Sequence, residues 1–133
     1  AIWRRFNFTI NLDLPNIDQR RLLIQNGIAK YGINAKLNID SIATMTVGMS
    51  GALIEELMLA TAKKYLIDNS LKTRDVTDIL IRQKTKYSNN KDESMKVICE
   101  ILACGVSLRS AASALGISHS TLEYQVEKYR GNE

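Results

Sequence analysis

Few residues in this chain of 133 could do chemistry, and their types and spacing exclude most enzyme classes. With a single histidine, His119, none of the usual zinc constellations can be assembled. Cys99 and Cys104 lie five positions apart, so on a helix they do not stack on one face as residues four apart would. Neither a disulfide nor a metal site between them is expected, and reduced thiols of a cytoplasmic protein are the plain reading. No Ser or Cys stands beside a plausible base, which leaves nucleophilic catalysis without a candidate. The phosphate-cradling run G-x-x-x-x-G-K-[ST] does not occur. Ala52 to Glu56 (ALIEE) mimics the apolar-then-acidic end of a magnesium-binding strand, but its period is helical and it reads as a helix face. The adjacent pair Arg4 and Arg5 is by itself the kind of pair found on any solvated helix end.

These residues need elements to position them. Asn7 to Leu14 alternates polar and apolar, with Phe8, Ile10, Leu12 and Leu14 on one side and Pro15 at its end, a period of two that predicts a strand. Asp18 is placed to cap a helix through Arg20, Leu23, Ile24 and Ile28 to Tyr31, with Gly32 as its stop. A short helix is expected over Asn38 to Thr46, and the strongest one from Ser50 to about Ile67. Thr73 opens another, with Asp75 in its first turn. The polar run Tyr87 to Glu93 (YSNNKDE) reads as a linker. Beyond it come helices over Ser94 to Cys104, Ser107 to Ala114 and Ser118 to Tyr129, broken at Gly105 and Gly116. A lone strand has nothing in its own chain to pair with, so it is expected to belong to a sheet whose other strands are elsewhere.

Composition agrees with a soluble helical protein: 45% of residues are hydrophobic, 24% are charged, and no apolar run approaches the ~20 residues needed to span a bilayer. No membrane partner is expected. Ala1 to Phe6 holds two arginines and no apolar core, so it does not read as a signal peptide, and the missing initiator Met points to a trimmed or excised fragment. The formal charge of +4 is unevenly spread. Residues 1–87 carry 13 basic and 8 acidic residues, whereas residues 88–133 carry 5 and 6, so the basic excess lies in the first part.

Two motifs, in order and at fitting distance, carry a resemblance. Ala1 to Pro15, AIWRRFNFTINLDLP, resembles the segment of AAA ATPases in which a helix ends in Arg-Arg-Phe and leads into the last strand of the nucleotide-binding sheet, closest to the spastin and katanin type. Thr46 to Glu55, TVGMSGALIE, resembles the Gly-aromatic-Ser-Gly-Ala-Asp-Ile motif that begins a lid helix in the same family. The resemblance implies that Arg4 and Arg5 are arginine fingers acting in trans on ATP held by a neighbouring copy, so the partner is a homo-oligomer. A permanently charged planar donor suits the charge that spreads over the equatorial oxygens during phosphoryl transfer. It also implies that Gly51 and Ala52 let the lid backbone approach the adenine, and that Leu23 flanks the base; ordinary small-residue helix packing is the alternative account of Gly51 and Ala52. The sequence departs from the pattern at Met49 for the aromatic, at Leu53 for the Asp, and at Gly27, where a bulkier residue is usual. The resemblance thus implies ATP with magnesium as the cofactor of a longer parent, and with no phosphate loop here no cofactor is expected on the fragment alone.

Ser107 to Tyr129 resembles the helix-turn-helix of the factor-for-inversion-stimulation type, through Ala111, Ala112, Leu115, Gly116, Ile117, Thr121, Leu122 and Val126. That resemblance implies a last helix entering the major groove, with Ser118, His119, Ser120, Tyr124, Gln125 and Lys128 facing DNA and Arg109 and Arg130 near phosphates. Glu123 and Glu127 stand where related proteins show Arg or Lys, so use of the same fold for protein contacts stays open.

The expected protein is therefore mainly α: residues 1–15 as the end of an AAA core, 16–87 as its helical lid with one orphan β-strand before it, 88–93 as a linker, and 94–133 as a tri-helical helix-turn-helix domain. The implied function is an ATPase fragment directed to DNA by its tail. The alternatives are a tail that binds protein on a remodelling ATPase, and a free-standing transcription regulator.

Overall fold

The computed structural model describes residues 13–131, and the elements found there are all helical. In chain order they are α1 (Ile17–Lys30), α2 (Ile39–Met45), α3 (Gly51–Asp68), α4 (Thr73–Lys86), α5 (Lys91–Ala103), α6 (Leu108–Leu115) and α7 (His119–Gly131). The mainly α class stands. Of the expected strand, Asn7 to Leu12 and the arginine pair before it lie outside the described residues, and Asp13 and Leu14 are neither helix nor strand.

Local chemistry sets the ends of the helices. α1 is capped two residues before the expected position: the Asn16 side chain accepts from the Gln19 amide and the Gln19 side chain accepts from the Asn16 amide, both at 2.9 Å. This reciprocal box satisfies two orphan donors, and it leaves Asp18 as a first-turn acid paired with Arg21 at 2.8 Å. A similar correction applies to the linker. Lys91 to Glu93 form the first turn of α5, because Asn90 accepts from the Glu93 amide at 2.9 Å and the acids Asp92 and Glu93 suit the positive end of a helix. At the far end of the chain α6 stops at Gly116, whose backbone is left-handed at φ 72°, a conformation glycine adopts without steric cost.

The helices enclose two apolar clusters. In the first, α1 packs on α2 and α3, and Ile24, Ile42, Ala43, Ile54, Leu57, Met58, Val76 and Leu80 are buried together. In the second, Met95 and Ile98 of α5 meet Ala111 and Ala112 of α6 and Leu122 and Val126 of α7. α4 serves both: Val76 and Leu80 face the first cluster, and Ile81 belongs to the second, where α4 lies against α5 and α6.

Gly27, unusual for its position in the sequence pattern, has a packing explanation. A Cβ there would lie 2.7 Å from Met58 Cγ and 2.9 Å from Met58 Cβ, so α1 approaches α3 more closely than any side chain allows. Gly27→Ala is expected to destabilise the chain. Overpacking costs roughly 1–3 kcal/mol, and the helix-propensity gain of about 1 kcal/mol offsets only part of it. Gly27→Leu is expected to cost more still, and chemical denaturation of the three proteins checks the order.

Candidate functional site

α1 and the start of α3 form the two walls of a cleft of about 630 Å³, lined by Asp13, Leu14, Pro15, Gln19, Leu22, Leu23, Ser50, Gly51 and Ala52. Leu23, Gly51 and Ala52, singled out from separate parts of the sequence, thus share one cavity. α1 supplies its face because Ile24 and Gly27 turn inward to the core, which leaves Leu22 and Leu23 on the rim. The opposite wall is the first turn of α3, where the Ser50 hydroxyl accepts from the Leu53 amide at 3.3 Å. Leu14 and Leu22 remain 59% and 57% exposed. Large leucines left in water around a concave apolar slot mark a surface suited to a flat apolar group or to another protein segment. Asp13 is the only charged residue lining it, and no cluster of three potential metal ligands occurs among the described residues.

A set of buried polar groups holds these walls. Arg20 is 6% exposed; its Nε donates to the Ala43 carbonyl and a terminal nitrogen donates to the Pro15 carbonyl, each at 3.0 Å. Lys84 of α4 donates to the Val47 carbonyl at 3.2 Å, in the turn that leads from α2 to Ser50, and burial holds its ammonium below the usual lysine range. Gln83 donates from Nε2 to the Leu53 carbonyl at 2.8 Å. On the outer side Lys30 and Tyr31 both donate to Glu55 Oε1, at 2.7 and 2.9 Å, which ties α1 to α3. Those two bonds, the lysine's first, hold the Glu55 carboxyl below the usual glutamate range. None of these supports was read from the sequence, yet Arg20 carried a signal: it sits four residues before Ile24 and seven before Gly27, on the stripe that faces the core. Met49, the departure from the aromatic, is buried in the first cluster, and Leu53 is half-buried.

The tail residues divide into groups. Arg109, Ser118, His119, Ser120, Tyr124, Lys128 and Arg130 are exposed, and Gln125 is half-buried. Ser118 is occupied as a helix cap, since its hydroxyl accepts from the Thr121 amide at 3.2 Å. His119 lies 3.9 Å from Glu123 one turn along α7. Tyr124, Gln125 and Lys128 line a second cleft, also of about 630 Å³, together with Lys91, Asp92, Met95 and Tyr129. Arg130 borders a smaller hollow of about 300 Å³ with Glu123 and Glu127. Cys99 and Cys104 are both free. No described helix is long and apolar enough to cross a membrane.

Comparison with known proteins finds relatives for part of the chain. The chain is 36% identical over 71 residues to a putative 26S proteasome regulatory subunit homolog of Methanothermobacter marburgensis, a match covering 53% of this chain and 19% of that protein. It is 33% identical over 89 residues to the proteasome-activating nucleotidase of Sulfurisphaera tokodaii, covering 65% of this chain and 22% of that protein. The matched stretches thus span about a fifth of each relative's length. No family model matches the chain, and no solved structure matches it significantly. Over part of its length the chain is thus similar to a proteasome-activating nucleotidase and to a putative proteasome regulatory subunit homolog.

Proposed function

We propose that this chain is the lid end of an AAA-type ATPase, in which the α1–α3 cleft receives the adenine of a nucleotide whose phosphates are held by the rest of a longer protein. The observation that carries this reading is the meeting of Leu23, Gly51 and Ala52 around one apolar cavity. Its volume lies within the ~300–1,000 Å³ of ordinary ligand pockets. The residues present suit the base and not the phosphates: leucines and a proline line the slot, while the described residues offer neither a phosphate loop nor a metal-binding group. Magnesium and the phosphates fall to the parent. Arg4 and Arg5 reach the nucleotide of a neighbouring copy, which makes a homo-oligomer the working form.

The test is an NMR titration of this chain with ATP, with millimolar nucleotide because the base is the only part bound here. Shifts concentrated at Leu22, Leu23, Gly51 and Ala52 are expected, and they should be reproduced by adenosine and weakened by Ala52→Glu. Shifts scattered over the basic surface, or absent with adenosine, would refute the reading.

For the tail we propose DNA as partner. The support is the tight Gly116 turn between α6 and α7, followed by an exposed Ser118–His119–Ser120 start of α7 with Arg109, Lys128 and Arg130 also in solvent. The acids Glu123 and Glu127, exposed on the same helix, weaken the attraction of a single copy.

A further inference from the structure

Arg20 is a buried cation whose described bonds run to main-chain carbonyls, and its neighbour shows how unlike an ordinary surface arginine that is. Arg21 pairs with Asp18 at 2.8 Å and with Asp40 at 2.7 Å at the surface, whereas no ion pair among the described residues involves Arg20. Burying a charge is costly unless hydrogen bonds compensate it, and mere packing would be served at least as well by an aliphatic side chain. The two bonds it makes reach different places. One holds Pro15, which with Asp13 and Leu14 forms the entry side of the cleft. The other holds Ala43 in the last turn of α2, just before the turn that carries Ser50, Gly51 and Ala52. Lys84 secures the same turn from below through Val47. The rigid guanidinium fork spans two acceptors at once; a lysine ammonium, a point donor on a flexible stem, would reach one and release the other.

We propose that Arg20 is a positioning residue that sets the separation of the two walls of the cleft, and so fixes its fit to a nucleotide base. This rests on the nucleotide reading above, and the experiment separates the two. Amide exchange of this chain is followed by mass spectrometry for Arg20→Lys and Arg20→Ala, and each protein is then titrated with ATP by NMR. Leu122→Ala, in the second cluster, serves as a control of reduced stability remote from the cleft. Arg20→Lys is expected to speed exchange over residues 44–52 and to weaken ATP binding, each at least tenfold, with a smaller change of exchange in α5–α7. Leu122→Ala, which acts through the shared helix α4, should speed exchange over 44–52 no more than over the rest of the first cluster and should leave the ATP response as in the parent. Unchanged exchange at 44–52 in Arg20→Lys overturns the proposal, as does an equal loss of ATP binding in Leu122→Ala. Faster exchange at 44–52 in a chain whose parent form gives no ATP shifts upholds the tether and refutes the nucleotide reading instead. Arg20→Lys keeps the charge, so the comparison survives if Arg20→Ala fails to fold.

Discussion

On the proposed reading, Arg5→Ala in the longer parent is expected to lower ATP turnover by a factor on the order of 10³ or more while leaving ATP affinity within about twofold. The size follows from where the guanidinium acts. Charge builds on the transferring phosphoryl group at the transition state, and a donor aimed at it contributes to the barrier and little to ground-state binding. Arg5→Lys should rescue little, because a point charge does not reproduce a planar fork. Action in trans adds a sharper requirement. An assembly mixed from Arg5→Ala subunits and subunits unable to bind ATP should recover turnover, since a sound arginine can then face a loaded neighbour. Steady-state turnover beside equilibrium nucleotide binding decides the matter. A loss of binding with residual turnover unchanged would give Arg5 a structural role.

The second large effect concerns DNA. Residues 88–133 carry 5 basic and 6 acidic residues, so one copy gains little from neutralising phosphates. The isolated chain should therefore bind duplex DNA weakly and with a shallow salt dependence. Copies arrayed by an ATP-loaded assembly bind as linked sites, and the affinity is expected to rise by about 10² to 10⁴. A salt titration of both forms on one duplex checks this, together with Arg109→Ala and Lys128→Ala. If the assembled form fails to bind at low salt, or both substitutions leave its binding unchanged, the tail binds protein. The cleft where Tyr124, Gln125 and Lys128 meet α5 then becomes the surface to probe.

The fold was legible where periodicity and small residues agree. Ile42 and Ala43 on α2, and Leu122 and Val126 on α7, lie inward as their spacing requires. The helix starts at Asn38, Ser50, Thr73, Ser107 and Ser118 lie where they were expected, and two others were misplaced for a physical reason. Asn16 and Asn90 look like turn residues in a one-dimensional reading because the side-chain oxygen that favours turns also caps helices. Of the cleft's lining, Leu23, Gly51 and Ala52 had been singled out through the family resemblance. Its supports were not, because bonds such as Gln83 to the Leu53 carbonyl join residues 30 apart and leave no local pattern. Arg20 falls between: its place on the core stripe was visible, but its acceptors at Pro15 and Ala43 were not.

The sharing of α4 between two cores has a consequence for how the molecule comes apart. Ile81 is fully buried in the second cluster, where α4 lies against α5 and α6, while one residue earlier Leu80 is fully buried in the first. Loss of order in either half strips partners from the same helix, so local melting on one side lowers the cost of melting the other. Neither half is then a separable cassette: a protease cut between α4 and α5, or truncation at that point, would uncover Ile81 and leave the remaining helices less resistant to heat than the intact chain.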